Sequence, residues 1–196
     1  MATTTLPAKP RVGSRSGEHD RPSSSEALYE VVDGVRVELT EMSMLSNIVK
    51  TRLHVRLGSF VEQHNLGFSA VETMFILDAK RDLQRRPDVA FVSFGRWPAE
   101  KEFSWEGEWE VIPDLCVEVT SPTDLFHDVL AKTLEYLSYG VHQVWVVSPV
   151  EQQIHVYESP RKVSILGPGD TLTCERLPGF ALPVAELFPK QTTPST

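Results

Sequence analysis

The sequence predicts an α/β fold, a mixed sheet flanked by helices with an extra β segment at the C-terminal end. Three observations carry this expectation. Two stretches place apolar residues at helical spacing, short runs of β-branched and aromatic residues lie around and between them, and the C-terminal part is turn-rich with brief apolar runs. The 196 residues suffice for one domain with a sizeable core. A content of 41% hydrophobic and 23% charged residues is that of a globular chain rather than a disordered or fibrous one.

Taken in order, residues 1–25 are rich in Thr, Ser, Pro, Gly and Arg without apolar periodicity and are expected to be a disordered tail. Residues 27–39 predict a hairpin turning at Asp33-Gly34, because both central positions of the tight turn need a positive φ. A first long helix follows, with Leu45, Ile48, Val49, Leu53, Leu57, Phe60 and Val61 on helical spacing and Gly67 placed to end it. "FSAVETMFILD" and "RRPDVAFVSF" then read as strands joined by a charged turn around Lys80, Arg81 and Asp82. Residues 95–110 interrupt the pattern with Trp97, Trp105 and Trp109 among charges. They form a loop whose indoles either fold against the sheet or stack on unpaired bases.

"VIPDLCVEVTS" is the central buried strand. "SPTDLFHDVLAKTLEYLSYG" predicts a second helix with Leu130, Leu134 and Leu137 on one face and Gly140 at its close. "HQVWVVSP" and "QIHVYES" supply further strands, and residues 161–188 form the extra β segment. The boundaries expected are a tail over 1–25, a domain over 26–189 and a short tail over 190–196.

Composition excludes several classes of function. No window approaches the roughly 18 apolar residues of a membrane span, and the N-terminus lacks the apolar core of a signal peptide, so a cytoplasmic protein without a membrane partner is expected. Cys116 and Cys174 lack metal-ligand spacing and are expected to be buried reduced thiols. His54, His64, His127, His142 and His155 show no zinc-enzyme spacing, and Ser121 and Ser148 have no nucleophile-elbow context. Net charge is −8; residues 1–25 carry Lys9, Arg11, Arg15 and Arg21 against Glu18 and Asp20, a net of +2, which leaves −10 for the rest. Such a chain needs a bound divalent cation or a local basic group to approach a polyanion.

Two Pro-Asp pairs, Pro87-Asp88 and Pro113-Asp114, stand at the mouths of two strands. Either can be plain turn punctuation. Side chains at i, i+2 and i+4 of a strand share a face, so Asp114, Cys116, Glu118 and Thr120 point one way and Leu115, Val117 and Val119 the other. A mid-strand glutamate between valines is costly unless a cation meets it. Asp114 is separated from Glu118 by roughly 13 Å of strand, too far to share a metal with it. Asp88 can come beside Glu118 if its strand pairs antiparallel with the central one.

"RRPDVAFV", "PDLCVEVTSPTD", the pattern formed by Lys132, Tyr136, Gly140, Val141 and Trp145, and "GD.L....LPGFALPVAELF" together resemble the Uma-two family of restriction endonucleases, within the PD-(D/E)XK nuclease superfamily, over about residues 26–189. The resemblance implies a restriction-endonuclease-like sheet and Mg²⁺-dependent hydrolysis of phosphodiester bonds in DNA, with Mn²⁺ as the other candidate ion. It implies Asp88, Glu118 and the carbonyl of Val119 as metal ligands. The superfamily's lysine, normally two residues after the second acid, is replaced by Thr120. The resemblance assigns that part to Lys132 on the following helix, which could equally form an ordinary i, i+4 ion pair with Asp128. Ser46-Asn47 stands where the resemblance implies a histidine-glycine pair in many relatives, a second departure from the pattern. Glu38 and Glu41 are either outer ligands or acids favoured near a helix N-terminus. The alternative function is a catalytically inactive or regulatory module that keeps the nuclease fold. A homodimer is compatible with either reading.

Overall fold

The computed structural model describes residues 27–104 and 107–189, so the two expected tails and Trp105 lie outside the described residues. The chain opens with β1 (Tyr29–Val32) and β2 (Val35–Glu38), antiparallel with Val32 opposite Val35. Asp33 and Gly34 take φ of 50° and 77°, the left-handed pair that a two-residue hairpin turn requires. A Cβ at Gly34 would meet only Asp82 Oδ2, at 3.8 Å, so Gly34→Ala is expected to cost only the left-handed backbone penalty, about 1 kcal/mol. Chemical denaturation would measure it. A loss several times larger would mean that the hairpin tip is packed more tightly than this.

Helix α1 (Met44–Gln63) starts at Ser43, whose hydroxyl accepts the Ser46 N–H at 3.1 Å, and buries Val49, Leu53, Leu57 and Val61. It ends earlier than Gly67 suggests. Asn65 takes the left-handed position, with φ of 53°, and Gly67 instead begins β3 (Gly67–Val71). A Cβ there would sit 2.1 Å from the Val92 carbonyl oxygen, so the glycine serves close strand approach rather than helix termination.

The stretch expected to be a single strand over 68–78 is broken. Glu72, with φ of 47°, ends β3, and β4 (Phe75–Asp78) joins another sheet. The next expected strand divides too, into β5 (Leu83–Arg85) and β6 (Val89–Ser93), with Pro87 and Asp88 in the gap. A proline cannot donate to a sheet ladder, which suits the point where the chain passes between sheets.

The chain continues through β7 (Leu115–Val119), α2 (Phe126–Ser138), β8 (Gln143–Ser148), β9 (Gln153–Ser159), β10 (Lys162–Leu166), β11 (Thr171–Thr173) and β12 (Ala181–Pro183). Among the described residues the main sheet has the order β10-β9-β8-β7-β6-β3, with β7 and β8 parallel and the other pairs antiparallel. A second sheet runs β2-β1-β5-β4, and β11 pairs with β12 as the extra C-terminal segment. Strand parity in β7 divides the core. Leu115, Val117 and Val119 pack with α1 and with Leu172, Leu177, Leu182 and Leu187 on one face, while Cys116 packs with Val144 and with Tyr136 of α2 on the other. One helix therefore covers each face.

Helix α2 is turned relative to its expected leucine face. Its fully buried side chains are Thr133 and Tyr136, and Leu130, Leu134 and Leu137 are only half-buried. The cause lies across the interface, where Glu118 bonds both Lys132 and Tyr136, one helical turn apart, and draws their edge of the helix onto the sheet. Gly140, at φ of 90°, follows as the left-handed residue after the helix. In the loop after β6, Trp97 and Trp109 meet edge-to-face at 5.4 Å and Trp109 stacks on Phe75 at 5.4 Å, so these two indoles fold against the sheet. Both cysteines are buried free thiols. Among the described residues no helix is long and apolar enough to cross a membrane.

Candidate active site

The two Pro-Asp pairs sit at opposite ends of one antiparallel ladder. Strands β6 and β7 pair with Val89 opposite Val117, Ala90 opposite Cys116 and Phe91 opposite Leu115. At one end Asp88 Oδ2 accepts the Val119 N–H at 2.6 Å, and at the other Asp114 Oδ2 accepts the Ser93 N–H at 2.8 Å. Each carboxylate thus satisfies a backbone donor that the ladder has ceased to reach. Their charges are met differently. Asp114 is buried against Arg96, at 3.0 Å, and is a structural pair. On Asp88, Lys132 and Lys50 act only through space, and burial outweighs them, holding its carboxyl above the usual aspartate range.

Continuing the ladder one step past Val89 and Val117 sets Asp88 opposite Glu118, on one face of the sheet. The N–H and C=O of an extended residue project to the same side, so the Val119 carbonyl faces the Asp88 side, like its N–H.

Lys132 Nζ lies 2.9 Å from Glu118 Oε2, and the Tyr136 hydroxyl donates to Glu118 Oε1 at 2.9 Å. Lys132 also meets Glu30 Oε1 at 2.7 Å. Asp128, the helical neighbour that spacing offers Lys132, pairs with His127 at 3.2 Å. Glu30, on β1, is a residue that sequence reasoning missed. It is 2% exposed and further bound by Arg85, 2.8 Å from its Oε2, and by the Arg86 N–H, 2.8 Å from its Oε1. Arg85 continues to Glu135 at 2.5 Å, which makes a chain of alternating charge from α2 to the hairpin and back. Nothing local in "YEVV" marks Glu30, because the burial of the acid is decided by what packs on β1 and not by the strand's own sequence.

Burial raises the Glu118 carboxyl; Lys132 opposes the rise, but neighbouring Asp88 and Glu30 reinforce it, leaving the group at about 8. For Glu30 burial pushes the same way, yet Lys132, Arg85 and the Arg86 N–H prevail and hold it below the ordinary glutamate value. Burial would lower the Lys132 ammonium, but Glu118 and Glu30 keep it well above its usual value and charged.

These groups line a cleft of about 1140 Å³ that includes Asp88, Glu118, Val119, Lys132, Arg85 and Arg86. Glu38 and Glu41 stand on its wall. Ser46 is buried and donates to the Thr120 carbonyl at 2.8 Å, tying α1 to the end of β7.

The architecture defines a restriction-endonuclease-like α/β protein. The chain belongs to the Uma2 family, whose sequence model, described as "Putative restriction endonuclease", matches residues 19–185. No match is found among the curated proteins. Among solved structures the fold is shared with a protein from Anabaena variabilis ATCC 29413 described as "a putative nuclease belonging to DUF820". The TM-score is 0.72 at 18% identity, over 82% of this chain and 89% of that one.

Proposed function

We propose that this protein is a metal-dependent endonuclease that hydrolyses phosphodiester bonds in DNA. The observation that carries the reading is the antiparallel β6–β7 ladder, which brings Asp88 beside Glu118 at a cleft where Lys132 is held 2.9 Å from the second acid. Family membership supports it.

The donor set fits a small divalent ion. Among the described residues no three His, Cys, Asp or Glu side chains gather into a metal cage. Two carboxylates and one carbonyl instead suit Mg²⁺, which keeps much of its water and takes few protein ligands, and Mn²⁺ shares the preference for oxygen. Formal charge agrees. The cleft is lined by eight Asp and Glu residues against three Lys and Arg, and Asp88 and Glu30 help hold the Glu118 carboxyl high, a repulsion that a bound cation would relieve. Asp88, Glu118 and the Val119 carbonyl would hold the ion, and the chemistry it supplies is polarisation of the phosphate and acidification of water.

The chain's own groups account for the rest. Tyr136 fixes one Glu118 oxygen, so the carboxylate cannot rotate freely. Lys132 has three N–H donors, two directed at Glu30 and Glu118, and the third can orient the attacking water or offset negative charge developing on the phosphate. Both Glu118 oxygens are already hydrogen-bonded within the protein, the observation that favours the second reading, a module without catalysis.

Supercoiled and single-stranded DNA incubated with Mg²⁺ or Mn²⁺ separate the two. Wild-type protein is expected to nick one of the substrates. Asp88→Asn, whose amide oxygen still accepts the Val119 N–H, is expected to stay folded and to lose on the order of 10²-fold or more in rate. Should wild type cut neither DNA with either ion, the non-catalytic module stands.

A further inference from the structure

We propose that Glu30 is a positioning residue, which fixes the Lys132 ammonium in the cleft independently of Glu118. The inference deepens the nuclease reading and rests on it for its catalytic consequence, though not for its geometry.

Glu30 is nearly sealed from solvent, and its two oxygens take three donors: Arg85 on Oε2, and the Arg86 N–H and Lys132 Nζ on Oε1. The Arg85 guanidinium at 2.8 Å and the Arg86 N–H at 2.8 Å already tie the Glu30 carboxylate to the β5 end, so anchoring β1 does not require Lys132 as well. What the additional contact does is hold the ammonium. Glu118 is the other acid bound to Lys132, and it is also the acid placed beside Asp88. An ammonium held only by Glu118 would lose its one partner whenever that carboxylate took up a cation. With Glu30 at 2.7 Å as a second hold, Lys132 stays at the cleft wall while Glu118 is engaged. The hold is stiff because β1 pairs with β2 along its whole length and with β5 through Val31 opposite Gln84. Glu135, at the far end of the same ion-pair chain, ties α2 to Arg85 and does not line the cleft, which makes it a matched control.

The test combines steady-state cleavage kinetics with the ¹⁵N-lysine spectrum of metal-free protein, in which the Lys132 ammonium is assigned by its loss in Lys132→Arg. A held ammonium exchanges its protons slowly enough to be seen. Glu30→Met, of similar length but with no acceptor, is expected to lower kcat on the order of 10²-fold, leave KM within about threefold, and lose the signal. Glu30→Gln keeps one acceptor oxygen and is expected to recover part of both. Glu135→Gln is expected to match wild type in kcat and signal. The proposal is overturned if folded Glu30→Met keeps wild-type kcat and signal, or if Glu135→Gln loses as much. If Glu30→Met fails to fold, Glu30→Gln decides, with unchanged kcat and signal overturning the proposal. If wild type cleaves nothing, the nuclease reading fails along with the catalytic consequence, and the ammonium signal alone decides whether Glu30 holds Lys132.

Discussion

Lys132→Met is expected to lower stability by about 3 kcal/mol, to drop the melting temperature by roughly 6–12 °C, and to remove DNA cleavage. A single ammonium serves two carboxylates here, at 2.7 Å and 2.9 Å, with side-chain exposures of 14% for Lys132, 3% for Glu30 and 13% for Glu118. Breaking a buried pair from one side usually costs about 3–5 kcal/mol, because the partner stays behind uncompensated. The lower end applies for two reasons. Glu30 keeps Arg85 and the Arg86 N–H, and Glu118 can take up a proton, as its raised value already favours at neutral pH. Urea unfolding at pH 7 checks the stability. A loss under about 1 kcal/mol would be that of a solvated surface pair and would contradict the burial from which the site is argued.

Much of the route to this site is legible in the sequence, because it depends on local rules. Asp33-Gly34 dictates its own turn, and strand parity places Glu118 on the face opposite Val117 and Val119 whatever the rest of the chain does. Asp88 could be paired with Glu118 on paper once the two strands were taken as antiparallel neighbours, and their register makes them so. The second Pro-Asp, by contrast, needed its surroundings: only the fold shows Asp114 against Arg96.

What was not legible is non-local. Glu30 sits in a short hairpin strand where an acid ordinarily faces water, and it is buried only because β5 and α2 bring Arg85 and Lys132 to it from 55 and more residues away. The break at Glu72 has no glycine or asparagine to announce it. Glu72 is held instead by long-range contacts, its carboxylate to Lys50 at 2.5 Å and its N–H to the Asp88 carbonyl at 3.2 Å. Helix α2 presents Lys132 and Tyr136 to the sheet rather than centring its leucines, because a buried carboxylate without donors would cost more than leucines left half-exposed.

Glu118→Gln is expected to keep or raise the melting temperature in metal-free buffer near pH 8, and to abolish any stabilisation by Mg²⁺ or Mn²⁺. The sign follows from the direction of the shift. Glu118 titrates near 8 in the folded protein against 4.5 for an unperturbed glutamate, so between those values the unfolded chain binds fewer protons than the folded one. Stability from this group is therefore complete below about 4.5 and declines as pH rises toward 8. Glu30 contributes the opposite slope, its lowered value favouring the folded state above the ordinary glutamate range. A neutral amide at position 118 removes the first slope and leaves the second. It also keeps the local hydrogen bonds, since the amide oxygen can accept from Lys132 while its NH₂ donates to the Tyr136 hydroxyl, which turns to receive it. The metal arm reads the same carboxylate through mass action, because an ion that binds only the folded state raises its stability by about 2.7 kcal/mol at a hundredfold excess over Kd. Melting curves of wild type and variant from pH 4.5 to 8.5, with and without Mn²⁺, carry both arms. If wild type shows no metal-dependent shift and the variant is simply less stable at every pH, Glu118 is a structural partner of Lys132 and Tyr136, and the endonuclease mechanism is to be abandoned while the fold stands.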